Sequence, residues 1–199
     1  MEIIQIIIIL LFSLTLHELM HALVSDKLGD PTARHQGRIS LNPLAHIDPF
    51  TTLLLPTLLI LAGSPIIFGA AKPVPFTPWN VRYGKWGIAL ISVAGPLTNL
   101  VIAILLSIYL QFFYSSFLLT AISVNVAFFV FNMIPFPPLD GSRILYAVAP
   151  RGLRDIMDKI EGAGMIALFL FLFVGFRFIA PFMNMAVTGI MKLLIPGIM

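Results

Sequence analysis

Long apolar runs alternate with short polar stretches along this chain. A transmembrane helix needs about 20 mostly apolar residues, and the first run, residues 3–24, has that length. Residues 86–139 contain no Asp, Glu, Lys or Arg, which is long enough for about two crossings. The pattern predicts an all-α polytopic membrane protein with about five to six apolar segments, at residues 3–24, 50–68, 87–113, 117–134, 162–179 and 182–195.

The polar stretches between these runs differ in character. Residues 38–41 alternate polar and apolar side chains, as a short strand does. Pro73 and Pro75 exclude a helix over residues 70–76 and favour an edge strand, so we expect a small membrane-associated β element. Without an internal repeat or a linker, the chain is expected to be a single domain over residues 1–199, with a catalytic core over about 3–145 and C-terminal helical segments over about 146–199.

Basic residues indicate which loops face the cytoplasm. They occupy the loop after the first segment, the loop before residue 87 and the charged, amphipathic stretch at residues 143–161, whereas the link at residues 114–116 has none. If every apolar segment crossed the membrane, the first two basic loops would lie on opposite sides. We therefore predict that residues 50–68, which prolines and glycines interrupt, form one re-entrant segment. The expected protein is a multi-pass protein of the cell membrane with cytoplasmic basic loops.

Composition supports a membrane location and excludes several functions. The chain of 199 residues is 59% hydrophobic and 11% charged, whereas soluble domains carry about 25% charged residues. The small net charge of +3 suits an anionic membrane leaflet and does not predict a nucleic-acid partner. The absence of cysteine excludes thiolate ligands and a cysteine nucleophile. The N-terminus lacks the basic region of a signal peptide, so we expect residues 3–24 to be retained.

The first apolar segment contains a cluster of ionisable residues, His17-Glu18-Leu19-Met20-His21. On a helix, residues four apart are separated by about 40° in azimuth and about 6 Å along the axis, so both imidazoles can bind the same ion. Glu18 is adjacent and can take a proton from water without binding the metal. Three ionisable groups in lipid cost several kcal/mol unless they have a partner. A divalent ion explains the cluster better than helix-packing histidines beside a stray glutamate.

A hydrolytic zinc site uses three protein ligands and keeps a further position open. Asp140 is the best placed third ligand, because it follows two prolines at the end of an apolar segment and precedes Gly141. Its alternative role is the N-cap of a helix that begins at Ser142. From the residues alone, the candidates for this ligand are His35, His46, Asp26, Asp30, Asp48, Asp140 and Glu161.

Three blocks in order resemble the site-2 protease family of intramembrane zinc metalloproteases: HELMH at 17–21, AGPLTN at 94–99 and NMIPFPPLDG at 132–141. The blocks at 37–48 and 69–75 resemble a compact branch without PDZ or nucleotide-sensing domains. The resemblance implies that a single Zn²⁺ is held by His17, His21 and Asp140, with Glu18 as general base. It also implies that Asn132 contacts the substrate backbone or the oxyanion. Asn99 is expected to share this catalytic role, with an interhelical hydrogen bond as its alternative.

The expected activity is hydrolysis of peptide bonds in transmembrane or membrane-associated protein substrates. Such a substrate must unwind to expose its carbonyls, and an edge strand at residues 70–76 or 38–41 could hold it extended. HELMH lies near the cytoplasmic end of its helix, so the active site should face that side. A membrane metal transporter, or a metal-binding membrane protein without catalysis, is the alternative. Glu18 beside a ligand histidine favours water activation over transport.

Overall fold

Helices form nearly all the regular structure of the computed structural model, which describes residues 2–54, 61 and 71–197. Short 3-10 turns lie at Pro43–His46 and Pro78–Asn80, and π-helical turns at Pro49–Leu54 and Phe171–Gly175. The α-helices are α1 (Glu2–Lys27), α2 (Thr32–His35), α3 (Lys85–Leu110), α4 (Ser116–Asn132), α5 (Gly141–Val148), α6 (Arg151–Gly162), α7 (Met165–Leu170) and α8 (Phe176–Leu194).

Three helical stretches are long and apolar enough to cross a membrane, namely Ile4–Lys27, Lys85–Leu110 and Ile166–Leu194. The helix α4 is apolar but shorter. This agrees with the predicted all-helical membrane fold. The predicted break between residues 179 and 182 is absent, because the chain stays helical from α7 through α8 with Pro181 inside α8. Membrane helices tolerate such a proline because neighbouring groups satisfy the freed carbonyl.

The predicted β element does not form in the part of the chain that the structure describes. Residues 38–41 contain bends, and residues 71–77 are irregular. The two stretches do meet, since Arg38 Nη2 donates to the Lys72 carbonyl, and Lys72 N–H donates to the His46 carbonyl at 2.8 Å. Pro73 and Pro75 have no N–H with which to extend this contact into a ladder. Most of the predicted re-entrant segment, residues 55–60 and 62–68, lies outside the described residues.

The helix α3 is central and contacts α1, α4, α5 and α8. Its buried face carries small residues, including Gly87, Ala94 and Gly95, which let neighbouring backbones approach closely. A core cluster joins it to α4 and α8 through Ala103, Leu110, Ile122, Val126, Met191 and Ile195. The HELMH end of α1 packs against the part of α3 that carries Gly95.

The end of α1 and the start of α3 are tied together. Arg82 N–H donates to the Leu28 carbonyl at 2.8 Å. Asp30, whose exposure is 0%, accepts hydrogen bonds from Thr77 N–H at 2.6 Å and from the Thr32 N–H and hydroxyl. The chain therefore leaves α1 and enters α3 at the same end of these helices.

A tight turn between α4 and α5 positions Asp140. Phe136 stacks on Phe171 with ring centroids 4.4 Å apart, and Leu139 packs in the same apolar cluster. A Cβ on Gly141 would lie 2.3 Å from the Met133 carbonyl oxygen, so only glycine lets α5 begin this close to the end of α4. The turn is thus fixed both by apolar packing and by the missing side chain.

Candidate metal centre

Side chains from two distant parts of the chain converge on one point. His17 and His21 lie one turn apart on α1, and their Nε2 atoms are 3.0 Å apart. Asp140 Oδ2 is 3.2 Å from His17 Nε2 and 3.3 Å from His21 Nε2. Asp140 also occupies the N-cap position of α5, but its side chain makes no capping hydrogen bond. The carboxylate instead faces the two imidazoles.

The other ring nitrogens fix the tautomer of each histidine. His21 Nδ1 is 2.7 Å from the Ile91 carbonyl oxygen, which can only accept, so Nδ1 carries the proton. His17 Nδ1 lies 2.6 Å from Asn99 Oδ1, also an acceptor. In the neutral rings both Nε2 atoms therefore present lone pairs to each other and to Asp140. Three electron-rich atoms this close repel one another unless a metal ion or a shared proton lies between them.

The separations of the ligand atoms fit zinc. Donor atoms about 2.0–2.1 Å from a tetrahedral zinc ion lie about 3.3 Å from one another, and the three observed separations are 3.0, 3.2 and 3.3 Å. Gly95 of α3 lies against the two rings, because a Cβ there would come within 2.4 Å of His21 Nε2 and 2.6 Å of His17 Nε2. The group His17, His21 and Asp140 can therefore hold a zinc ion.

Two buried side-chain amides, Asn99 and Asn125, form a hydrogen-bonded chain that ends at His17 Nδ1. Asn99 Nδ2 donates to Asn125 Oδ1 at 3.0 Å and to the Ser13 carbonyl at 3.4 Å. Asn125 Nδ2 in turn donates to the Ala121 carbonyl at 2.8 Å. Because the Asn99 nitrogen donates to Asn125 and to Ser13, the Asn99 oxygen is left to face His17. Asn125 is not among the residues predicted from the sequence, although an Asn within an apolar segment is a signal that could have found it.

Glu18 is buried beside these groups, with 9% of its surface exposed. Its carboxylate lies within electrostatic range of both His21 and Arg38. Burial lowers the pKa of the Arg38 guanidinium, and the Glu18 charge partly offsets that effect. A carboxylate and a guanidinium therefore share the water-poor region next to the candidate metal ligands.

The two asparagines predicted to be catalytic lie in different settings. Asn99 contacts His17 and belongs to the buried amide chain. The Asn132 amide donates to the Phe128 carbonyl of its own helix at 3.0 Å. Within the described part of the chain, Asn132 makes no hydrogen bond to Glu18 or to the three candidate ligands.

The other candidates for a third ligand are engaged elsewhere. His35 is exposed on α2, and His46 Nε2 faces the Ser40 carbonyl oxygen at 2.8 Å. Asp30 ties the ends of α1 and α3 together, as described above. Asp26 forms an ion pair with Arg34, and Glu161 forms one with Arg143. Asp48 accepts a hydrogen bond from Thr51 N–H.

Comparison with known proteins adds an independent finding. The model of Peptidase family M50 matches residues 109–175. Two relatives carry the name "Putative zinc metalloprotease": YwhC of Bacillus subtilis (strain 168) and Rip2 of Mycobacterium tuberculosis (strain H37Rv). YwhC is 38% identical over 94% of this chain and 89% of its own length. Rip2 is 31% identical over 87% of this chain and 66% of its own length. No solved structure matches the chain.

Proposed function

The chain belongs to peptidase family M50, the zinc metalloproteases of site-2 protease type, and from that premise we propose that it hydrolyses peptide bonds of proteins within or beside the membrane. The observation that carries the proposal is the convergence of His17, His21 and Asp140 at separations that suit a single zinc ion. The candidate centre lies on a helix long and apolar enough to cross the bilayer. Its substrate is a protein in a membrane setting.

His17, His21 and Asp140 would hold the zinc ion. When bound, zinc supplies Lewis acidity, which polarises a carbonyl and makes water more acidic. The Ile91 carbonyl and Asn99 keep the two imidazoles in the tautomer that offers Nε2. Such outer partners orient ligands and raise their basicity. The site is therefore preorganised for a metal by groups that do not touch the metal.

Glu18 would act as general base and then as general acid. It is next to a candidate ligand in sequence and is buried, so a proton taken from the attacking water can be returned to the leaving amine. Asn132, at the end of α4, is proposed to contact the substrate backbone or the oxyanion. Its bond to the Phe128 carbonyl uses one of the two N–H groups of the amide, which leaves the second N–H and Oδ1 for that role. Asn99 is better suited to orienting His17 than to touching substrate.

The active site is proposed to face the cytoplasm across the cell membrane. Basic residues gather at the end of the bundle where α1 ends and α3 begins, and none lies in the link at residues 111–115. Such an excess of Lys and Arg marks the cytoplasmic side. At that end, residues 71–77 contribute the N–H groups of Val74 and Phe76, which bond to no other described residue. These N–H groups can pair with an unwound substrate strand.

Cleavage of a membrane-embedded reporter by the purified, zinc-loaded protein tests this function. We expect Glu18→Gln to retain zinc and to lower the cleavage rate by at least about a hundredfold, as removal of a general base does. His17→Ala should lose the metal and Asp140→Ala should weaken its binding. His35→Ala, which alters an exposed histidine, is the matched control and should change neither property.

Three results would contradict the proposal. Unchanged cleavage by Glu18→Gln would reject the assigned base. Full zinc occupancy of Asp140→Ala would reject the third ligand. Zinc flux into liposomes that survives Glu18→Gln would instead support a transporter.

A further inference from the structure

Arg38 is a buried guanidinium with only part of its hydrogen-bonding capacity in use. Its exposure is 3%. Nη2 donates to the carbonyls of Lys72 and Pro73. Nε and Nη1, which carry most of the N–H bonds of the group, have no partner among the residues that the structure describes. A buried donor without a partner is costly, more so when it is charged, so these N–H groups call for an acceptor.

His46, which also contacts Lys72, has an acceptor atom without a hydrogen-bond donor. Its Nε2 faces the Ser40 carbonyl oxygen and therefore donates, which leaves Nδ1 as an acceptor. His46 Nδ1 is buried and unpartnered within the described chain. The two residues meet at Lys72, because the Arg38 side chain donates to the Lys72 carbonyl and the His46 main-chain carbonyl accepts from Lys72 N–H. Two residues that carry unpartnered side-chain atoms, donors on Arg38 and an acceptor on His46, therefore both contact the main chain of Lys72.

These free groups lie on the catalytic side of the molecule. The Arg38 charge interacts with the Glu18 carboxylate, and the turn Pro43–His46 packs against α1. A peptide backbone brings both a carbonyl, which Arg38 can bind, and an N–H, which His46 Nδ1 can bind. A side-chain anion or an inorganic anion would satisfy Arg38 but would leave His46 Nδ1 without a donor.

We propose that Arg38 and His46 bind the backbone of an unwound substrate next to Lys72, with Arg38 donating to a substrate carbonyl and His46 Nδ1 accepting from a substrate N–H. The inference rests on the proposed proteolytic function and deepens it, because it assigns a recognition site for main-chain groups. Recognition of backbone rather than side chains predicts a protease that selects substrates by their ability to unwind. Both residues are substrate-binding groups and are distinct from the candidate metal ligands.

The test measures peptide binding rather than cleavage. Zinc-loaded Glu18→Gln protein in detergent is titrated with fluorescent peptides derived from a transmembrane segment, each with one backbone carbonyl replaced by CH2. We expect one position at which the replacement weakens binding by about ten- to a hundredfold, the range for a hydrogen bond to a charged donor. The same replacement should have no effect on binding to the protein that also carries Arg38→Lys, because lysine keeps the positive charge but lacks the planar set of N–H donors of a guanidinium. Arg34→Lys, which alters an exposed arginine paired with Asp26, is the matched control and should keep the effect.

A second measurement does not depend on how well the variant folds. In protein labelled with ¹⁵N-arginine, the Arg38 Nε–H resonance should move downfield when the unmodified peptide binds. An unchanged resonance would overturn the inference. The inference would also fail if every carbonyl replacement weakened peptide binding by the same factor in the protein with Arg38→Lys as in the protein without it. Because binding is measured in a protein without its base, these failures are distinct from a wild type that cleaves nothing, which would reject the proteolytic function.

Discussion

At the scale of single residues, the candidate centre depends on a missing side chain. Gly95 leaves the space that the two imidazoles occupy, since a Cβ there would lie 2.4 Å from His21 Nε2. The rings cannot retreat without breaking their bonds to the Ile91 carbonyl and Asn99. Alanine normally stabilises a helix interior by about 1 kcal/mol relative to glycine, so a harmful effect of this substitution must come from the site.

We therefore expect Gly95→Ala to weaken zinc binding by about ten- to a hundredfold, similar to the loss of an outer-shell partner. Zinc content after dialysis against a competing chelator measures the change. Gly189→Ala in α8, where a Cβ would meet nothing within 4 Å, is the control and should bind zinc normally. Equal zinc retention by the two variants would show that Gly95 does not confine the histidines.

The amide chain behind His17 provides a second residue-scale prediction. Asn125→Leu keeps the branched outline of the side chain but replaces its amide with methyl groups and so removes the oxygen that holds Asn99. The Asn99 amide then loses its fixed orientation, and we expect zinc affinity to fall by about tenfold although Asn125 touches no ligand. Competition with a fluorescent zinc chelator measures it. Ser123→Ala, on the same helix, is the control and should leave the zinc affinity unchanged. A normal zinc affinity for Asn125→Leu would show that Asn125 does not orient His17 through Asn99.

At the scale of elements, Asp30 joins the loop after α1 to the segment before α3. Burial alone would raise the pKa of Asp30, but hydrogen bonds from Thr32, Thr77 and Asn80 outweigh it and lower the pKa below 3.8. A carboxyl with a lowered folded pKa contributes stability that is complete above its ordinary pKa and is lost as pH falls through the folded value. The link should therefore hold at neutral pH and fail only in acid below about 4.

We predict that Asp30→Asn lowers the free energy of unfolding by about 1–3 kcal/mol at neutral pH, because an amide cannot accept all these bonds. Thermal unfolding in detergent at several pH values measures it. Below about pH 4 the gap between wild type and variant should narrow. Asp26→Asn, which breaks a pair with the exposed Arg34, should cost less than about 1 kcal/mol. A gap that stays constant down to about pH 3 would contradict the assigned role.

The helices and the candidate ligands differ in how far sequence could predict them. Apolar runs long enough to span a bilayer identified α1, α3 and α4, and the HELMH spacing identified two histidines on one helical face. The roles of Gly95 and Asn125 could not be predicted from local pattern, because they depend on contacts between helices distant in sequence. The β element was predicted from alternation at residues 38–41, but prolines in the partner segment leave too few N–H groups for a ladder.

At the scale of the whole molecule, hydrogen bonds restrict the topology more than hydropathy does. The bond from Arg82 N–H to the Leu28 carbonyl places the end of α1 and the start of α3 together. The helix α3 then runs to residue 110, and α4 returns from residue 116 to residue 132, beside Asp140. The candidate centre and both basic loops therefore share one end of the bundle, and the link at residues 111–115 lies at the other.

This topology predicts the outcome of a labelling experiment, for which the absence of native cysteine makes the chain well suited. Lys27→Cys and Arg82→Cys replace exposed residues at the two ends that are joined, and Gln111→Cys replaces an exposed residue at the opposite end. In intact cells, a membrane-impermeant maleimide should label Gln111→Cys and should reach the other two only after permeabilisation. Labelling of positions 27 and 82 from opposite faces would place them on opposite sides of the membrane. That result would contradict the topology, because the hydrogen bond from Arg82 N–H to the Leu28 carbonyl places both positions on the same side. Labelling of both from outside would keep the fold but reverse the orientation, because the basic loops would then be extracellular.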